Sequence, residues 1–311
     1  MTGDNRNKPL LIILGATAIG KTELAIHIAR ALNGEIIGAD SRQIYRQMDI
    51  GTAKPTRDQL QQAVHHMVDI VDPDELLTLA EYQERAYAII DDITARGKLP
   101  LLVGGTGQYI TAVEEGWSIP RVPPDYDLRD KLEAEAKAIG NEAFHQKLAE
   151  VDPEAARNIH PNNVRRVIRA LEVYMATCTP ISVLQRKQPP PYRIRTMGLT
   201  LERQLLYERA DTRVDQMMAK GFLDEVQTLL DAGYSRELPS MSALGYRELA
   251  SHLLDDISLD AAIQQTKHST HNFIRRQDVW FRGHDNGILW HNINDLDRDQ
   301  LMTTLTQWIQ E

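Results

Sequence analysis

The chain has 311 residues, a formal net charge of −9 and a hydrophobic fraction of 42%. This length predicts one large α/β domain with an inserted or second unit of roughly 80 to 120 residues. The single cysteine, Cys178, excludes an internal disulfide and a cysteine-built zinc site, and the acidic balance excludes a general nucleic-acid coat unless local basic clusters bind the polyanion.

The first part of the chain alternates apolar runs with helical patterns. Residues 10–14 predict a buried strand, 22–32 a helix, and the run EIIGAD (35–40) a second strand. An amphipathic helix over 79–96 precedes the apolar run LPLLVGG (99–105). Continuous aliphatic runs separated by helices are typical of a parallel sheet covered on both faces, so this part predicts a βαβ array.

From residue 114 the composition changes. Residues 127–186 are charged and helical in period, and the prolines of KQPPPYR (187–193) predict an extended linker. The later predicted elements are a strand over 195–201, helices around 202–231, 242–254 and 258–282, and a strand GILWHNI over 287–293. Because strands resume after the helical block, we predict an insertion into a single α/β domain.

A phosphate-binding motif follows the first strand. Gly15, four residues, and then Gly20, Lys21 and Thr22 have P-loop spacing at the start of a helix. Backbone N–H groups would converge on an anion, Lys21 would contact the outer phosphate, and Thr22 would bind Mg²⁺. A glycine turn that caps an ordinary helix is the alternative.

The predicted fold is a P-loop NTPase-like parallel sheet flanked by helices, with a core of 1–113 and 195–311 and a mostly helical insertion of 114–194.

The next candidate is Asp40, at the end of EIIGAD. LPLLV runs into Gly104 and Gly105, so the aspartate that a nucleotide hydrolase places after such a strand is missing there. The residues alone leave Asp40 open as a magnesium ligand, a helix cap or a catalytic base. The segment GGTGQY, which contains Thr106, is by itself typical of a tight turn.

Seven segments together resemble one known family. They are GATAIGKT, ADSRQIYRQMDIGTAKP, HHMVDIVDP, LLVGGTGQYI, IHPNNVRRVIRALEVY, ALGYREL and RRQDVWFR, in that order. They are similar to segments of bacterial tRNA dimethylallyltransferases. The resemblance implies Mg²⁺-dependent transfer of the dimethylallyl group from dimethylallyl diphosphate to N6 of adenosine 37, beside the anticodon of tRNAs reading codons that begin with U.

The resemblance also implies residue roles. Asp40 would take a proton from the amine, which is a weak nucleophile because its lone pair is delocalised, and Thr106 would contact the bridging oxygen of the diphosphate. The P-loop residues assigned to the diphosphate are Gly15, Ala16, Thr17, Ala18, Ile19, Gly20, Lys21 and Thr22. The residues assigned to the pocket that receives the tRNA adenosine are Asp40, Ser41, Arg42, Gln43 and Thr106.

Three basic clusters suit contacts with a diphosphate or with RNA. The first is the segment Arg165, Arg166, Val167, Ile168 and Arg169, in which Arg165 and Arg169 share a helical face. The second pairs Arg209 with Arg213 at the same spacing, as a clamp on the diphosphate or the tRNA backbone. The third is a stripe of Lys267, His271 and Arg275, with Arg276 beside it, which would bind tRNA. A solvated helix face is the alternative for each cluster.

The chain departs from the family pattern at several positions. Ala16 and Ile19 replace the usual Pro and Ser, Val164 and Arg165 replace Pro and Gln, and Ser242 and Asn272 replace Arg and Gln. Adjacent strand residues point to opposite faces, so His65 and His66 are not assigned to zinc.

Composition also bears on location and on competing functions. No apolar run approaches the length of a membrane span, and the first nine residues lack the apolar stretch of a signal peptide, so we predict a cytoplasmic protein without a membrane partner. A monomer is predicted. The alternative functions are a P-loop small-molecule kinase, a prenyltransferase acting on free adenylate, and a non-catalytic RNA-binding relative.

Overall fold

The computed structural model describes residues 8–254, 256–285 and 287–311. Its strands are β1 (Lys8–Gly15), β2 (Gly34–Ala39), β3 (His65–His66), β4 (Leu99–Gly104), β5 (Tyr192–Thr200) and β6 (Leu289–Asn292). They form one sheet in the order β3-β2-β4-β1-β5-β6, and every neighbouring pair is parallel. The predicted fold class is therefore confirmed. Residues 1–7, on which the predicted lack of a signal peptide largely rests, lie outside the described residues.

Helices connect the strands and extend beyond them. Their bounds are α1 (Lys21–Ala31), α2 (Arg57–Gln62), α3 (Leu79–Ala95), α4 (Gly107–Glu115), α5 (Tyr126–Ile139), α6 (Asn141–Val151), α7 (Pro153–Asn158), α8 (Val164–Thr177), α9 (Ile181–Leu184), α10 (Arg203–Ala219), α11 (Phe222–Asp231), α12 (Tyr246–Leu253), α13 (Leu259–Gly283) and α14 (Arg298–Gln310). The sequence pattern does not predict α2, α4 or α14. Helix α2 buries no residue, and α4 starts within a glycine-rich segment, so neither has a clear apolar period. No described helix is long and apolar enough to cross a membrane.

The central strand β1 shows why the sheet is covered on both faces. Successive strand residues point to opposite faces. Leu10, Ile12 and Leu14 join one hydrophobic core, whereas Leu11 and Ile13 join the other. A strand that is apolar at every position must lie between two such layers, which agrees with the helices packed on both sides.

The chain divides into two compact units. One consists of residues 8–114 and Pro191–Glu311 and contains the sheet, and the other is Glu115–Pro190. The predicted boundary at 194/195 lies inside β5, because β5 pairs with β1 from Tyr192 onward. Pairing with a buried neighbour thus extends the strand into the segment that the prolines predicted to be a linker.

The helical unit Glu115–Pro190 has a core of its own. Its helices are α5 to α9, and their apolar side chains form a separate cluster around Phe144, Leu148 and Val167. Glu172 is buried among them and accepts hydrogen bonds from the guanidinium groups of Arg129 and Arg169. A carboxylate inside a small helical unit requires such partners, because an unpaired buried charge is costly.

A second buried carboxylate lies on β2. Glu35 accepts hydrogen bonds from Arg96 and Lys98, and it lies 2.7 Å from His66 Nε2. Hydrogen bonding to Arg96 is the main reason that the pKa of Glu35 lies well below its usual range, against the opposing effect of burial. His65 instead contacts the Ala63 carbonyl oxygen. The two adjacent histidines therefore have separate partners.

Candidate active site

The P-loop joins β1 to α1. Gly20 has φ 103°, in the left-handed region that glycine adopts without steric cost, and helix α1 begins at the next residue, Lys21. The first N–H groups of a helix have no intrahelical partner and carry partial positive charge, so they favour an anion. Lys21 Nζ donates to the carbonyl oxygens of Gly15 (3.0 Å) and Ala16 (2.8 Å). The ammonium therefore lies directly over the loop.

Not every residue of the P-loop can contact a phosphate through its side chain. Ile19 and Ala16 are buried in the core, so only their backbone can contribute to the predicted site. Burial also explains why Ile19 can replace a residue with a hydroxyl. The N–H of Thr17 donates to Gln277 Oε1 at 2.9 Å, so this amide is already engaged by the protein.

The ends of neighbouring strands bring Asp40 and Thr106 together. Gly104 of β4 pairs with Leu14 of β1 on one side and with Ala39 of β2 on the other. The loops that follow these strands therefore start at the same edge of the sheet. Thr106 donates its own N–H to the Ala39 carbonyl oxygen at 3.0 Å, which fixes it beside Asp40.

Two further hydrogen bonds orient these side chains. The Ser41 N–H donates to Thr106 Oγ1 at 3.0 Å, and the Arg42 N–H donates to Asp40 Oδ1 at 2.8 Å. Asp40 thus holds its own turn through one oxygen. The arrangement places a hydroxyl and a carboxylate on adjacent positions of one surface.

Two cations face the same carboxylate. Burial lowers the pKa of Lys21 to about 8, and the charge of Asp40 opposes this effect while that of Arg213 adds to it. Burial likewise lowers the pKa of Arg213, again against the charge of Asp40. Lys21, Asp40 and Arg213 are therefore within electrostatic reach of one another, although the sequence separates them widely.

The predicted clamp pairs Arg209 with Arg213 on α10 and stays a prediction. Arg209 is exposed and donates to Asn294 Oδ1 at 3.0 Å, whereas Arg213 is partly buried and coupled to Lys21 and Asp40. Arg213 is thus the cation that α10 supplies to the P-loop.

The predicted pocket residues Arg42 and Gln43 bind other parts of the protein. The Arg42 guanidinium donates to the Pro239 carbonyl oxygen at 2.6 Å and to Ser242 Oγ at 3.3 Å. The Gln43 amide donates to the carbonyl oxygens of residues 52 and 53 at 3.1 and 3.0 Å. These hydrogen bonds hold the segment that follows Asp40 in place. Ser242 has a structural role there, because its hydroxyl accepts a hydrogen bond from Arg42.

An aromatic wall, which the sequence did not single out, adjoins Asp40. Tyr109 of α4 stacks on Tyr82 of α3 with ring centres 3.7 Å apart, and the Tyr82 hydroxyl donates to the Gly38 carbonyl oxygen at 2.9 Å. Burial raises the pKa of Tyr109, and the nearby Tyr45 and Asp40 charges raise it further. Both rings are buried in the hydrophobic core, where they pack beneath the strand ends and do not present a free face.

In the helical unit, the structure contradicts two of the predicted tRNA contacts. Val167 has no exposed surface and Ile168 is 6% exposed. Both pack in the core of that unit, on the inner face of α8. Their side chains cannot touch an RNA backbone, because helical periodicity directs them to the face opposite the solvent.

Arg169 is half-buried, and its side chain is engaged within the helical unit. Its guanidinium donates to Glu172 at 2.5 Å and to the Val122 carbonyl oxygen at 3.0 Å. The predicted basic face therefore loses this member, because the ion pair stabilises the helical unit. Arg165 and Arg166, by contrast, are exposed on α8.

The predicted basic stripe on α13 is partly neutralised. Lys267 Nζ lies 2.7 Å from Asp215 Oδ1, and His271 Nε2 lies 2.8 Å from Asp211 Oδ1. Both acids belong to α10, which packs against α13. The sequence could not indicate that acids of a neighbouring helix lie beside the first two members of the stripe.

The other end of the stripe differs. Arg275 and Arg276 are both exposed. Arg275 donates to Asn272 on the preceding turn, and Arg276 lies 5.7 Å above the centre of the Phe273 ring. Neither arginine has an acidic partner among the contacts of the described residues, so this end keeps its positive charge.

The sequence did not assign a role to Gln277. This side chain is 6% exposed and connects the P-loop to the turn before Thr106, since it also donates to the Gly105 carbonyl oxygen at 2.8 Å. The only signal was its position, three residues after the buried Ile274 and four before the buried Phe281, which places it on the core face of α13.

Known proteins resemble this chain in both sequence and fold. A family model described as IPP transferase matches residues 43–284. The tRNA dimethylallyltransferase of Roseiflexus castenholzii is 57% identical over 274 residues, which cover 88% of this chain and 90% of that protein. The full-length tRNA isopentenylpyrophosphate transferase of Bacillus halodurans is 41% identical, with a TM-score of 0.71 and coverage of 97% and 95%. A eukaryotic dimethylallyltransferase acting on tRNA is 26% identical, with a TM-score of 0.77 and coverage of 96% and 77%.

The lowered pKa of Lys21 leads to a prediction about anion binding. We expect the affinity for methyl diphosphate to be highest below pH 8 and to fall above it by up to about tenfold per pH unit, because the ammonium loses its charge there. Calorimetric titration across this range measures the effect. In Lys21→Met, the pH dependence that remains does not come from the ammonium and reports the ionisation of the ligand. The same pH dependence in this variant and in the wild type would contradict the prediction.

Proposed function

The chain belongs to the IPP transferase family, and on that premise we propose that it is a tRNA dimethylallyltransferase. It transfers the dimethylallyl group of dimethylallyl diphosphate to N6 of adenosine 37 in tRNAs that read codons beginning with U. The products are N6-isopentenyladenosine and diphosphate. The identity to relatives named for this activity, over most of both chains, supports the reaction class.

One observation carries the chemical argument: the Thr106 hydroxyl and the Asp40 carboxylate adjoin each other at the P-loop through the Ser41 amide. The exocyclic amine of adenine needs a base near its N–H. Asp40 Oδ1 is held by the Arg42 amide, and among the described residues no hydrogen bond engages Oδ2. That oxygen is available to accept the proton as the amine attacks.

Thr106 acts on the leaving group. Its Oγ1 already accepts the Ser41 N–H, and no described residue accepts the hydroxyl proton. The hydroxyl therefore donates to the bridging oxygen as the bond from C1 of the allyl group to that oxygen breaks. Lys21, Arg213 and the amides at the start of α1 stabilise the charge that develops on the diphosphate, and fixed donors of this kind make a large contribution to catalysis.

Magnesium fits this site only together with the diphosphate. Among residues 8–254, 256–285 and 287–311, no cluster of three or more His, Cys, Asp or Glu could hold a metal ion. Mg²⁺ commonly keeps several waters and binds through few protein groups plus substrate phosphates. Thr22, in the first turn of α1, would be its protein ligand. When bound, the ion neutralises charge on the diphosphate.

The acceptor is a base that leaves its stack. An adenosine in the anticodon loop must turn out of the loop to reach Asp40. Arg165 and Arg166 of the helical unit, and Arg275 and Arg276 of α13, then serve as contacts to the tRNA backbone, with the monomer as the active species.

The choice of acceptor separates this function from its alternatives. We expect protein supplied with Mg²⁺ and labelled dimethylallyl diphosphate to label tRNA and not AMP, because the acceptor must also satisfy the RNA contacts. Labelled AMP would indicate a free-adenylate prenyltransferase. Phosphate transfer from ATP at rates near those of prenyl transfer would indicate a kinase and contradict the proposal.

Substitutions at Asp40 and Thr106 should have separable effects. Asp40→Asn keeps the acceptor for the Arg42 amide but cannot take a proton, so the single-turnover rate with bound tRNA should fall about 10²- to 10⁴-fold. Thr106→Val removes the hydroxyl at nearly constant volume, and the rate should fall about 10- to 10³-fold. Thr106→Ser is the matched control and should stay close to wild type.

The leaving group distinguishes the two roles. An allylic substrate with a better leaving group should partly rescue Thr106→Val and leave Asp40→Asn slow. Single-turnover rates at saturating substrate report chemistry rather than binding. Equal rescue of both variants, or wild-type chemistry in Asp40→Asn, would mean that the base lies elsewhere.

The helical unit allows a test of RNA binding. The double substitution Arg165→Gln and Arg166→Gln should weaken tRNA binding. It should also reduce the magnitude of the slope of log K against log salt concentration by about 1 to 2, because fewer counterions are released. Lys137→Gln, which removes an exposed charge paired with Glu133 on α5, is the control in the same unit. Fluorescence titration at several salt concentrations measures the slope, and an unchanged slope would make the arginines a solvated face.

A further inference from the structure

Gln277 is a buried amide with a hydrogen bond at each end. Its Oε1 accepts the Thr17 N–H at 2.9 Å, and its Nε2 donates to the Gly105 carbonyl oxygen at 2.8 Å. The side chain projects from α13, a helix of 25 residues that packs against β1 and α10. A long packed helix is a rigid base, so the amide has little freedom to move.

The two bonded groups belong to the two loops that carry the reaction. Thr17 lies in the P-loop after β1, and Gly105 lies immediately before Thr106 in the turn after β4. A Cβ atom at Gly105 would lie 2.3 Å from Gln277 Nε2, so the amide occupies the space that a side chain there would need. Gly105 is therefore a glycine because of close approach.

We propose that Gln277 is a positioning residue that sets the separation between the diphosphate loop and the Thr106 hydroxyl. The inference rests on the proposed function. A loop that binds diphosphate and a hydroxyl that contacts its bridging oxygen must keep a fixed distance, and backbone hydrogen bonds to one rigid amide fix both loops at once. Misplacement of a reacting group by an ångström costs about 10²-fold in rate.

The first test is a double-mutant cycle. Gln277→Leu keeps the volume and removes both hydrogen bonds, so the single-turnover rate with saturating dimethylallyl diphosphate and tRNA should fall about 10- to 10²-fold, with tRNA affinity unchanged. Because Gln277 acts through Thr106, Gln277→Leu combined with Thr106→Val should be no slower than Thr106→Val alone. Effects that multiply would overturn the proposal, since independent sites are additive in free energy.

Thr270→Val is the matched control for the loss of a buried polar group. Thr270 lies on the same helix and is buried, and among the described residues its hydroxyl bonds only to the Thr266 carbonyl oxygen of its own helix, at 2.8 Å. Its rate should remain at the wild-type level. A loss as large as that of Gln277→Leu would show that any buried change in α13 slows the reaction, and would overturn the specific role of the amide.

The second test measures the pH dependence of Gln277→Glu, in which a carboxylic acid replaces the side-chain amide. In Gln277→Glu the protonated acid can donate to the Gly105 carbonyl oxygen and accept from Thr17, whereas the carboxylate cannot donate. The single-turnover rate relative to wild type should therefore rise as pH falls, while the same ratio for Gln277→Leu stays flat. A flat ratio for Gln277→Glu would mean that the side chain only fills space.

The outcomes separate this inference from the proposed function. Failure of the wild type to prenylate tRNA would overturn the function itself. Wild-type protein that prenylates tRNA, alongside Gln277→Leu at an equal rate, would leave the function intact and overturn the positioning role.

Discussion

The whole site depends on three parallel strands, β1, β2 and β4, that end at the same edge of the sheet. Gly104 of β4 is paired with Leu14 of β1 and with Ala39 of β2, so the three strands end within one residue of the same height and their loops start at one edge. Parallel strands present all their carboxyl ends at one edge, and ligands bind there in open α/β sheets. The phosphate loop, the carboxylate of Asp40 and the hydroxyl of Thr106 meet because the hydrogen-bond register allows no other placement.

Electrostatics then make this edge of the sheet favourable for binding an anion. Lys21 and Arg213 are half-buried cations whose charged forms are disfavoured by loss of solvent and supported by Asp40. A bound diphosphate would add the negative charge that this cluster lacks.

Acidic partners engage some of the basic side chains of this acidic chain and leave others exposed. Lys267 and Arg169 look like RNA contacts in the sequence, yet Lys267 bonds to an acid on a neighbouring helix and Arg169 bonds to Glu172 one turn along its own helix. Arg165, Arg166 and Arg276 stay exposed. Positive charge left without an internal acid can neutralise phosphate, so the surface that suits tRNA is smaller and more localised than the count of basic residues indicates.

The sequence by itself determined the parallel sheet, the phosphate loop and the position of Asp40 at a strand end, because apolar runs, glycine spacing and residues at strand ends are local signals. Thr106 was singled out by the resemblance to tRNA dimethylallyltransferases. Only the tertiary structure decided which charges remain available. Val167 was assigned to tRNA but is buried, Arg209 was paired with Arg213 but bonds to Asn294, and Gln277 had no assigned role but joins two loops. Each outcome depends on a partner distant in sequence, and burial and hydrogen bonding are properties of the pair rather than of either residue.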